Sequence, residues 1–224
     1  MPVEEITSRT TDACLVKSTT SGSWADIRGN ASSSADNRFG TQYSNTLAIY
    51  NRYAGGRGGN TYYLSRSVFP FRITGITTGT ITAASVKFYL DNMGSTGDYD
   101  DVILIGIQGL DDDTSDYGKV FETGTTYNDV HAERINVSTT AGYHTFTLNS
   151  TAIESLQGHM AAESTQYYAL VGFYSDYQNN APSLNGDYTK IYCRYSEYSG
   201  STDPTLTLTI RTAENNATFF GSNF

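Results

Sequence analysis

The strictest constraint on the fold is an alternation of threonine with leucine or isoleucine, "TLTLTI", at residues 205–210. Successive side chains of a β-strand point to opposite faces, so this pattern places Leu206, Leu208 and Ile210 together on one face. In an α-helix the same residues would be spread around the axis. The stretch therefore predicts a strand with one buried side, packed against a second layer of structure.

The same two-residue period recurs in three other runs of the sequence. Their predicted inward sets are Phe69, Phe71 and Ile73; Ala84, Val86, Phe88 and Leu90; and His144, Phe146 and Leu148. Pro70 cannot donate a ladder hydrogen bond, so its strand is predicted to lie at an edge or to carry a bulge. The runs "DVILIGIQ" and "QYYALVGFY" are apolar on both faces, which is typical of central strands covered on both sides.

One segment has helical spacing. In "STAIESLQGHM" the apolar residues recur every three or four positions, and Thr151 with Glu154 has the spacing of a capping box. The whole sequence is rich in tyrosine (18), phenylalanine (10) and glycine (21), as short strands joined by turns require. A lone short helix among strands favours an all-β sandwich over an alternating α/β fold.

Length and charge exclude several classes of protein. The 224 residues are predicted to form one domain that can bury a core without a disulfide or a metal. A net charge of -9 argues against nucleic-acid binding, which depends mainly on basic residues. The acidic start lacks the features of an export signal, and no run approaches the ~20 apolar residues that span a bilayer. We therefore expect folding in a reducing compartment, with Cys14 and Cys193 unpaired.

Four stretches together resemble a known family: "SRSVFPFRITGI", "ITAASVKFYL", "LNSTAIESL" and "YSEYSGSTDPTLTLTI". Their order is similar to that of DNRLRE-type and related carbohydrate-binding-module-like jelly rolls. The resemblance covers about residues 44 to 210 and implies an antiparallel two-sheet jelly-roll β-sandwich with one short helix. The residues on either side of it are expected to form extended terminal arms. Such folds occur in bacterial surface proteins, polysaccharide-active enzymes and phage structural proteins. Arg72 stands where members of the family often carry aspartate, so no ligand role is transferred to that position.

The resemblance also divides the chain into three parts. Residues 1–43 are expected to form an N-terminal arm and loops, residues 44–210 the jelly-roll domain, and residues 211–224 a C-terminal arm. Tyr198 and Pro204 are expected to bracket the loop of the last hairpin.

The sequence contains no pattern typical of a catalytic site. The motifs G-x-S-x-G, H-E-x-x-H and C-x-x-C are all absent. His131, His144 and His159 lack metal-ligand spacing and are interpreted as structural or exposed. We therefore expect a protein that is not an enzyme, and a lyase or hydrolase is the least favoured of the functions considered.

The acidic stretch "LDDDTSDYGKVFE" is the best candidate for a metal site. Calcium prefers several oxygen ligands gathered from one loop, and Asp111, Asp113, Asp116 and Glu122 would supply them. Asp116 stands where an EF-hand-like loop requires glycine, however. A solvated acidic turn is the favoured alternative, and no other cofactor is indicated.

Tyrosines on adjoining segments give the best candidate binding surface, namely Tyr174, Tyr177, Tyr192, Tyr195 and Tyr198. Exposed flat rings can stack on sugars, and tyrosine is also enriched at protein interfaces. The alternative is that about half of these rings fill the β core.

These observations favour a non-catalytic virion structural protein of phage type. It would be a decoration, fibre or adhesin protein on the capsid or tail, made in the host cytoplasm. Its partners would be copies of itself and other virion proteins, with glycan binding at the host surface as a further role and no membrane insertion. The alternative is an extracellular carbohydrate-binding module of a polysaccharide-active or cell-surface protein.

The residues after Ile210 are predicted to be an assembly arm. "TAENNAT" is polar and turn-prone, whereas Phe219, Phe220 and Phe224 would each lose roughly 1.5–3 kcal/mol if left in water. Deleting residues 212–224 should leave thermal unfolding nearly unchanged and weaken oligomerisation, as measured by calorimetry and sedimentation. A truncated chain that fails to fold, or that assembles as well as the full chain, would contradict the prediction of an assembly arm.

Overall fold

The computed structural model describes residues 2–8, 11–40, 46–56, 59–76, 78–137, 140–194 and 202–212. In chain order, its strands and helices are β1 (Val3–Thr7), β2 (Ala13–Thr19), α1 (Trp24–Arg28), β3 (Asn37–Gly40), β4 (Thr46–Gly56), β5 (Gly59–Arg72), β6 (Thr80–Asn92), β7 (Asp101–Ile107), β8 (Phe121–Thr123), β9 (Thr126–Tyr127), β10 (Val130–Asn136), β11 (Gly142–Thr147), α2 (Ser150–Ala161), β12 (Thr165–Gly172), β13 (Thr189–Arg194) and β14 (Thr205–Arg211). Turns of 3₁₀-helix cover Gly97–Asp100 and Thr114–Val120, and a π-helical turn covers Phe173–Tyr177.

Twelve strands within the described ranges form one antiparallel sheet, whose main path runs β1-β14-β6-β13-β4-β5-β12-β7-β10. β11 pairs with β6, and β2 pairs with both β3 and β5. β5 pairs with β4 over residues 59–65 and with β12 over residues 67–72, so the sheet turns a corner along this strand. β10 also meets Leu148, the residue that follows β11, at a bridge from Ala132, which closes the strands around one core.

The predicted all-β antiparallel sandwich is confirmed, and its main core lies between two layers of this sheet. Phe88 of β6 packs against Phe69 at 4.9 Å and against Phe146 at 5.7 Å, measured between ring centroids. Apart from half-buried His144, all the side chains predicted to point inward are buried. Leu206, Leu208 and Ile210 are among them, so the final strand does complete the core.

A second apolar cluster lies on the other side of β5, β7 and β12, where Val68, Ile105 and Ala169 point away from the main core. Trp24 and Ile27 of α1 cover it, together with the 3₁₀ turn at Thr114–Val120. This second layer explains why β7 and β12 are apolar along both faces, as the sequence predicted for covered central strands.

The N-terminal residues differ from the expected arm and loops. β1 pairs with β14 and β2 pairs with β5, and α1 is a second helix beside the single helix expected. Strand β1 is polar and almost wholly exposed, so it carries no apolar alternation that could reveal it. α1 does carry a signal, because Ser23 and Asp26 form a reciprocal capping box.

Helix α2 is the predicted helix, but it begins differently. Asn149 is the N-cap, since its side-chain oxygen accepts a hydrogen bond from the Ala152 amide at 3.0 Å. The predicted capping box of Thr151 and Glu154 is therefore wrong, and Thr151 lies exposed inside the first turn. Leu156 is buried against the main core, as the helical spacing required.

A buried ion pair joins the second cluster to the π-helical turn. The Nε and Nη2 groups of Arg66 donate to the two carboxylate oxygens of Asp176, each at 2.7 Å, and both side chains are fully buried. Other Arg66 donors reach the main-chain oxygens of Tyr117 and Arg28, each at 2.8 Å. Tyr127 donates its hydroxyl to the same carboxylate. One guanidinium thus connects β5, α1, β9 and two turns.

The substitution Asp176→Ala should lower the free energy of unfolding by roughly 3–5 kcal/mol, because it leaves the Arg66 charge buried and unpaired. The double replacement Arg66→Met with Asp176→Leu should recover much of this loss. Urea unfolding followed by circular dichroism measures both variants. Asp91→Ala breaks the partly exposed pair with Arg194 and is the control, with an expected loss of ~1 kcal/mol or less. An Asp176→Ala protein as stable as this control would contradict the role of the buried pair.

Candidate functional site

Tyrosines and charged residues occupy the outer face of β11, β6 and β13. Tyr89 and Asp91 on β6 alternate with buried residues, as do Tyr192 and Arg194 on β13. The strand register places Tyr89 opposite Tyr143 of β11 on one side and Arg194 on the other. Tyr192 lies opposite Asp91 in the next row. Aromatic and charged groups therefore meet across strands that are far apart in sequence.

Contacts between rings and cations hold this surface in place. Tyr89 and Tyr143 meet edge to face, with ring centroids 5.2 Å apart and planes at 84°. Lys87 Nζ lies 5.0 Å from the Tyr143 ring, and the Arg194 guanidinium lies 5.5 Å from the Tyr89 ring. Arg194 also pairs with Asp91 at 3.1 Å. The rings are thus oriented before any ligand arrives, which limits the entropy lost on binding.

The surface continues onto β4 and β5. Tyr50 lies opposite Lys190 of β13, and its ring is 6.3 Å from that of Tyr63. Burial raises the pKa of Tyr50, although a hydrogen bond with Arg52 acts in the opposite direction. The hydroxyl therefore stays protonated and can donate at neutral pH. We call this surface the tyrosine face and define it by Tyr50, Tyr63, Tyr89, Tyr143 and Tyr192.

Tyr192 is the one residue of this face that the sequence singled out. Tyr174 instead packs against Tyr99 at 4.9 Å, and Tyr177 packs against Tyr127 at 5.2 Å. Both belong to the π-helical turn after β12, and these ring contacts are with tyrosines outside the tyrosine face. The expected platform of adjoining tyrosines is therefore split between two places.

The other residues predicted to bind or assemble lie outside the described part of the chain. They are Tyr195, Tyr198, Phe219, Phe220 and Phe224. Their predicted roles, in ligand binding for the tyrosines and in an assembly arm for the phenylalanines, stay predictions.

Sequence reasoning missed the other four members of the tyrosine face. Tyr50 and Tyr89 did carry a signal, because each lies between two buried positions of an alternating run, and Tyr143 precedes half-buried His144 in another such run. Such alternation assigns a residue to a face of its own strand only. Which strands lie side by side is decided by long-range pairing, and that order was not predictable from the sequence.

The four carboxylates of the predicted calcium site do not converge. Asp111 forms an ion pair with Lys119 at 2.8 Å. Asp113 accepts a hydrogen bond from the Ser115 amide at 2.6 Å and so caps the 3₁₀ turn, and Glu122 is exposed on β8. Within the described ranges, no three histidine, cysteine, aspartate or glutamate side chains group as a metal site requires.

Asp116 has a structural role in the acidic turn. It is buried, accepts a hydrogen bond from the Asp111 amide at 2.7 Å and lies 3.5 Å from Arg38. Burial raises the pKa of Asp116, and the amide and the guanidinium partly offset this effect. The acidic stretch is therefore a turn in which Asp111, Asp113 and Asp116 already have partners, and the candidate calcium site is not formed.

Two of the three histidines share a setting that the sequence did not reveal. His131 of β10 and His159 of α2 both line a cleft of about 320 Å³ beside β7 and β12. Burial lowers the pKa of His131 to about 4, a shift that nearby Asp129 opposes and His159 reinforces. His144 is half-buried on β11, and burial lowers its pKa as well.

Glycine makes room for the His131 ring. A Cβ atom at Gly106 of β7 would lie 2.3 Å from His131 Cε1 and 2.4 Å from Nε2, well inside contact distance. Any larger residue at position 106 would therefore displace the imidazole. A glycine within the otherwise apolar run "VILIGI" was the sequence signal for this close approach.

No protein-family model matches the chain, and no curated protein has significant similarity to it. Neither described helix is long and apolar enough to cross a membrane.

The free energy of unfolding should contain a contribution from His131 that disappears as the pH falls from about 6.5 to about 4. The folded protein keeps this imidazole neutral down to its lowered pKa, whereas the unfolded chain takes up the proton near 6.5, so acid favours unfolding. The substitution His131→Gln should make the loss of stability over this range shallower, as measured by urea unfolding at several pH values. His144→Gln is the control and should have a smaller effect, because His144 is less buried. Parallel pH profiles for wild type and His131→Gln would contradict the assignment.

Proposed function

We propose that the protein is a non-catalytic, adhesive β-sandwich protein that binds glycans through the tyrosine face. The supporting observation is the set of five tyrosines that the described residues bring together on neighbouring strands. A sugar ring has an apolar C–H face that packs on an aromatic ring and a rim of hydroxyls that bond to polar groups. The tyrosine face offers both kinds of partner, and tyrosine gives a large contact area at low conformational cost.

The shape of the face favours a polymer over a small molecule. It is an open sheet surface that crosses β11, β6, β13, β4 and β5, and five strands at the usual spacing extend over about 19 Å. Several linked sugar residues can lie across such a surface. A single sugar would leave most of the rings uncovered.

Charge favours an acidic glycan. Lys87, Lys190 and Arg194 lie on the face with Asp91, so cations outnumber carboxylates there although the whole chain has a net charge of -9. Such a local excess attracts anionic groups at a rate and strength that salt reduces. We therefore expect uronate-containing or otherwise anionic polysaccharides to bind more tightly than neutral ones.

The setting proposed for this activity is a phage-type virion. The protein would be attached to the capsid or tail, assembled with copies of itself and with other virion proteins. The absence of catalytic motifs in the sequence and the family resemblance support this setting. An extracellular carbohydrate-binding module would use the same face and is the alternative. Capsid or tail genes beside the gene for this chain would favour the virion, and polysaccharide-degradation genes would favour the alternative.

The substitutions Tyr89→Ala and Tyr192→Ala should each weaken binding to an acidic polysaccharide by roughly tenfold, about 1.4 kcal/mol, because each removes a stacking ring. Affinity electrophoresis in gels with acidic or neutral polysaccharides measures the effect. Arg194→Gln should weaken binding to acidic polymers more than to neutral ones and should reduce the effect of salt.

The control for these variants is Tyr174→Ala, which removes a half-buried tyrosine outside the face and should bind as the wild type does. Thermal unfolding checks that every variant is folded. Wild-type protein that is retarded by none of the polysaccharides, or face variants that bind as well as Tyr174→Ala, would contradict the proposal.

A further inference from the structure

We propose that the cleft beside β7, β12 and α2 is a second binding site, which takes a single neutral sugar residue. The choice of ligand class rests on the glycan-binding function proposed above, but the cleft shares no residue with the tyrosine face. Its volume of about 320 Å³ lies at the small end of the range for ligand pockets and suits one sugar ring with its substituents.

One wall of the cleft is a fixed polar pair. Ser155 of α2 donates to Gln166 Oε1 at 2.8 Å, and Gln166 Nε2 donates to the main-chain oxygen of Tyr167 at 2.8 Å. Gln166 is buried, so this amide is held in one orientation. The Ser155 hydroxyl can still accept a hydrogen bond and the Gln166 amide can still donate one, as a pair of sugar hydroxyls requires.

The two histidines add further partners. His159 Nδ1 shares a hydrogen bond with the Ser164 hydroxyl at 2.8 Å, which leaves its Nε2 free to bind a ligand. His131 is 4% exposed, and its Nδ1 has no hydrogen-bond partner among the described residues. A buried polar atom without a partner is unfavourable, so a hydroxyl that reaches it directly or through a water would stabilise the site.

The charges of the lining decide between ligand classes. The lining contains no lysine or arginine, and burial lowers the pKa of both His131 and His159, so no cation is available for an anionic ligand at neutral pH. Exposed Asp129 is the one carboxylate of the lining and repels anions further. Alternating hydroxyl, amide and imidazole groups suit a neutral ligand that both donates and accepts hydrogen bonds, and the hydroxyls of a sugar do both.

The two sites would therefore divide one glycan between them. The tyrosine face holds an acidic chain lengthwise, whereas the cleft takes a neutral end or branch residue. Two weak sites on one chain can bind a single polymer much more tightly than either alone, provided that the polymer reaches both.

The test uses the ring signals of His131 and His159 in isotope-labelled full-length protein, observed by nuclear magnetic resonance. Methyl galactoside and N-acetylglucosamine are the neutral probes, methyl glucuronide the acidic one and glucosamine the cationic one. Neutral sugars should shift both signals and saturate at millimolar concentration, and the glucuronide should bind at least tenfold more weakly.

Two tryptophan variants on α2 test whether the sugar-induced shifts arise from binding in the cleft. Thr151→Trp places a large ring at the mouth of the cleft and should abolish the shifts. Glu154→Trp adds the same ring on the same helix outside the cleft lining and should preserve them. Both positions are exposed, so neither ring has to enter the core. If Thr151→Trp does not fold, Gln108→Trp takes its place, because Gln108 is an exposed lining residue that directly follows β7.

The outcomes for the two sites are separable. Wild-type signals that no neutral sugar moves, shifts that survive Thr151→Trp, or tighter binding of glucosamine than of the neutral sugars would each overturn the cleft assignment. Tyr192→Ala should leave the cleft shifts intact. If the wild-type protein binds no polysaccharide while neutral sugars still shift its histidine signals, the result counts against the proposed function alone.

Discussion

The buried pair of Arg66 and Asp176 is the interaction on which the outer layer of the molecule depends. Burial alone would lower the pKa of Arg66, but the adjacent carboxylate raises it well above its usual range, so the guanidinium stays charged. The Arg66 Cζ atom also lies 4.2 Å from the centroid of the Tyr117 ring and 5.0 Å from that of Phe121. Removing two such charges from water has a large desolvation free energy, and only a complete set of hydrogen-bond partners offsets it.

That requirement explains why distant segments converge at this point. Arg66 and Asp176 are 110 positions apart in the chain, and α1 and the 3₁₀ turn at Thr114–Val120 offer their carbonyl oxygens to the same guanidinium. The charge can be satisfied only when all these segments are in place, so it selects one arrangement of the second layer. It also fixes the π-helical turn, which begins the connection from β12 to β13, a strand of the tyrosine face.

Local pattern predicted the strands well and their neighbours poorly. The alternation at Phe69 and Phe71 identified the core face of β5, and Pro70 lies beyond the last pairing with β2, where β5 has a neighbour on one side only, as predicted. The tyrosine face escaped prediction because its rows join strands by long-range pairing. The cleft escaped because its two histidines come from separate elements, and Gly106 was the only local sign of the close packing there.

The pairing of β1 with β14 has a mechanical consequence for the adhesive function proposed above. The strands are antiparallel, with Val3 opposite Thr209, so the beginning of β1 and the end of β14 lie side by side at one edge of the sheet. Tension applied between these two points would peel the strands apart one hydrogen bond at a time, which needs little force. Tension between the end of β14 and the tyrosine face would instead bypass β1. A protein tethered through its C-terminal side could therefore hold a glycan under load without unzipping its edge strand.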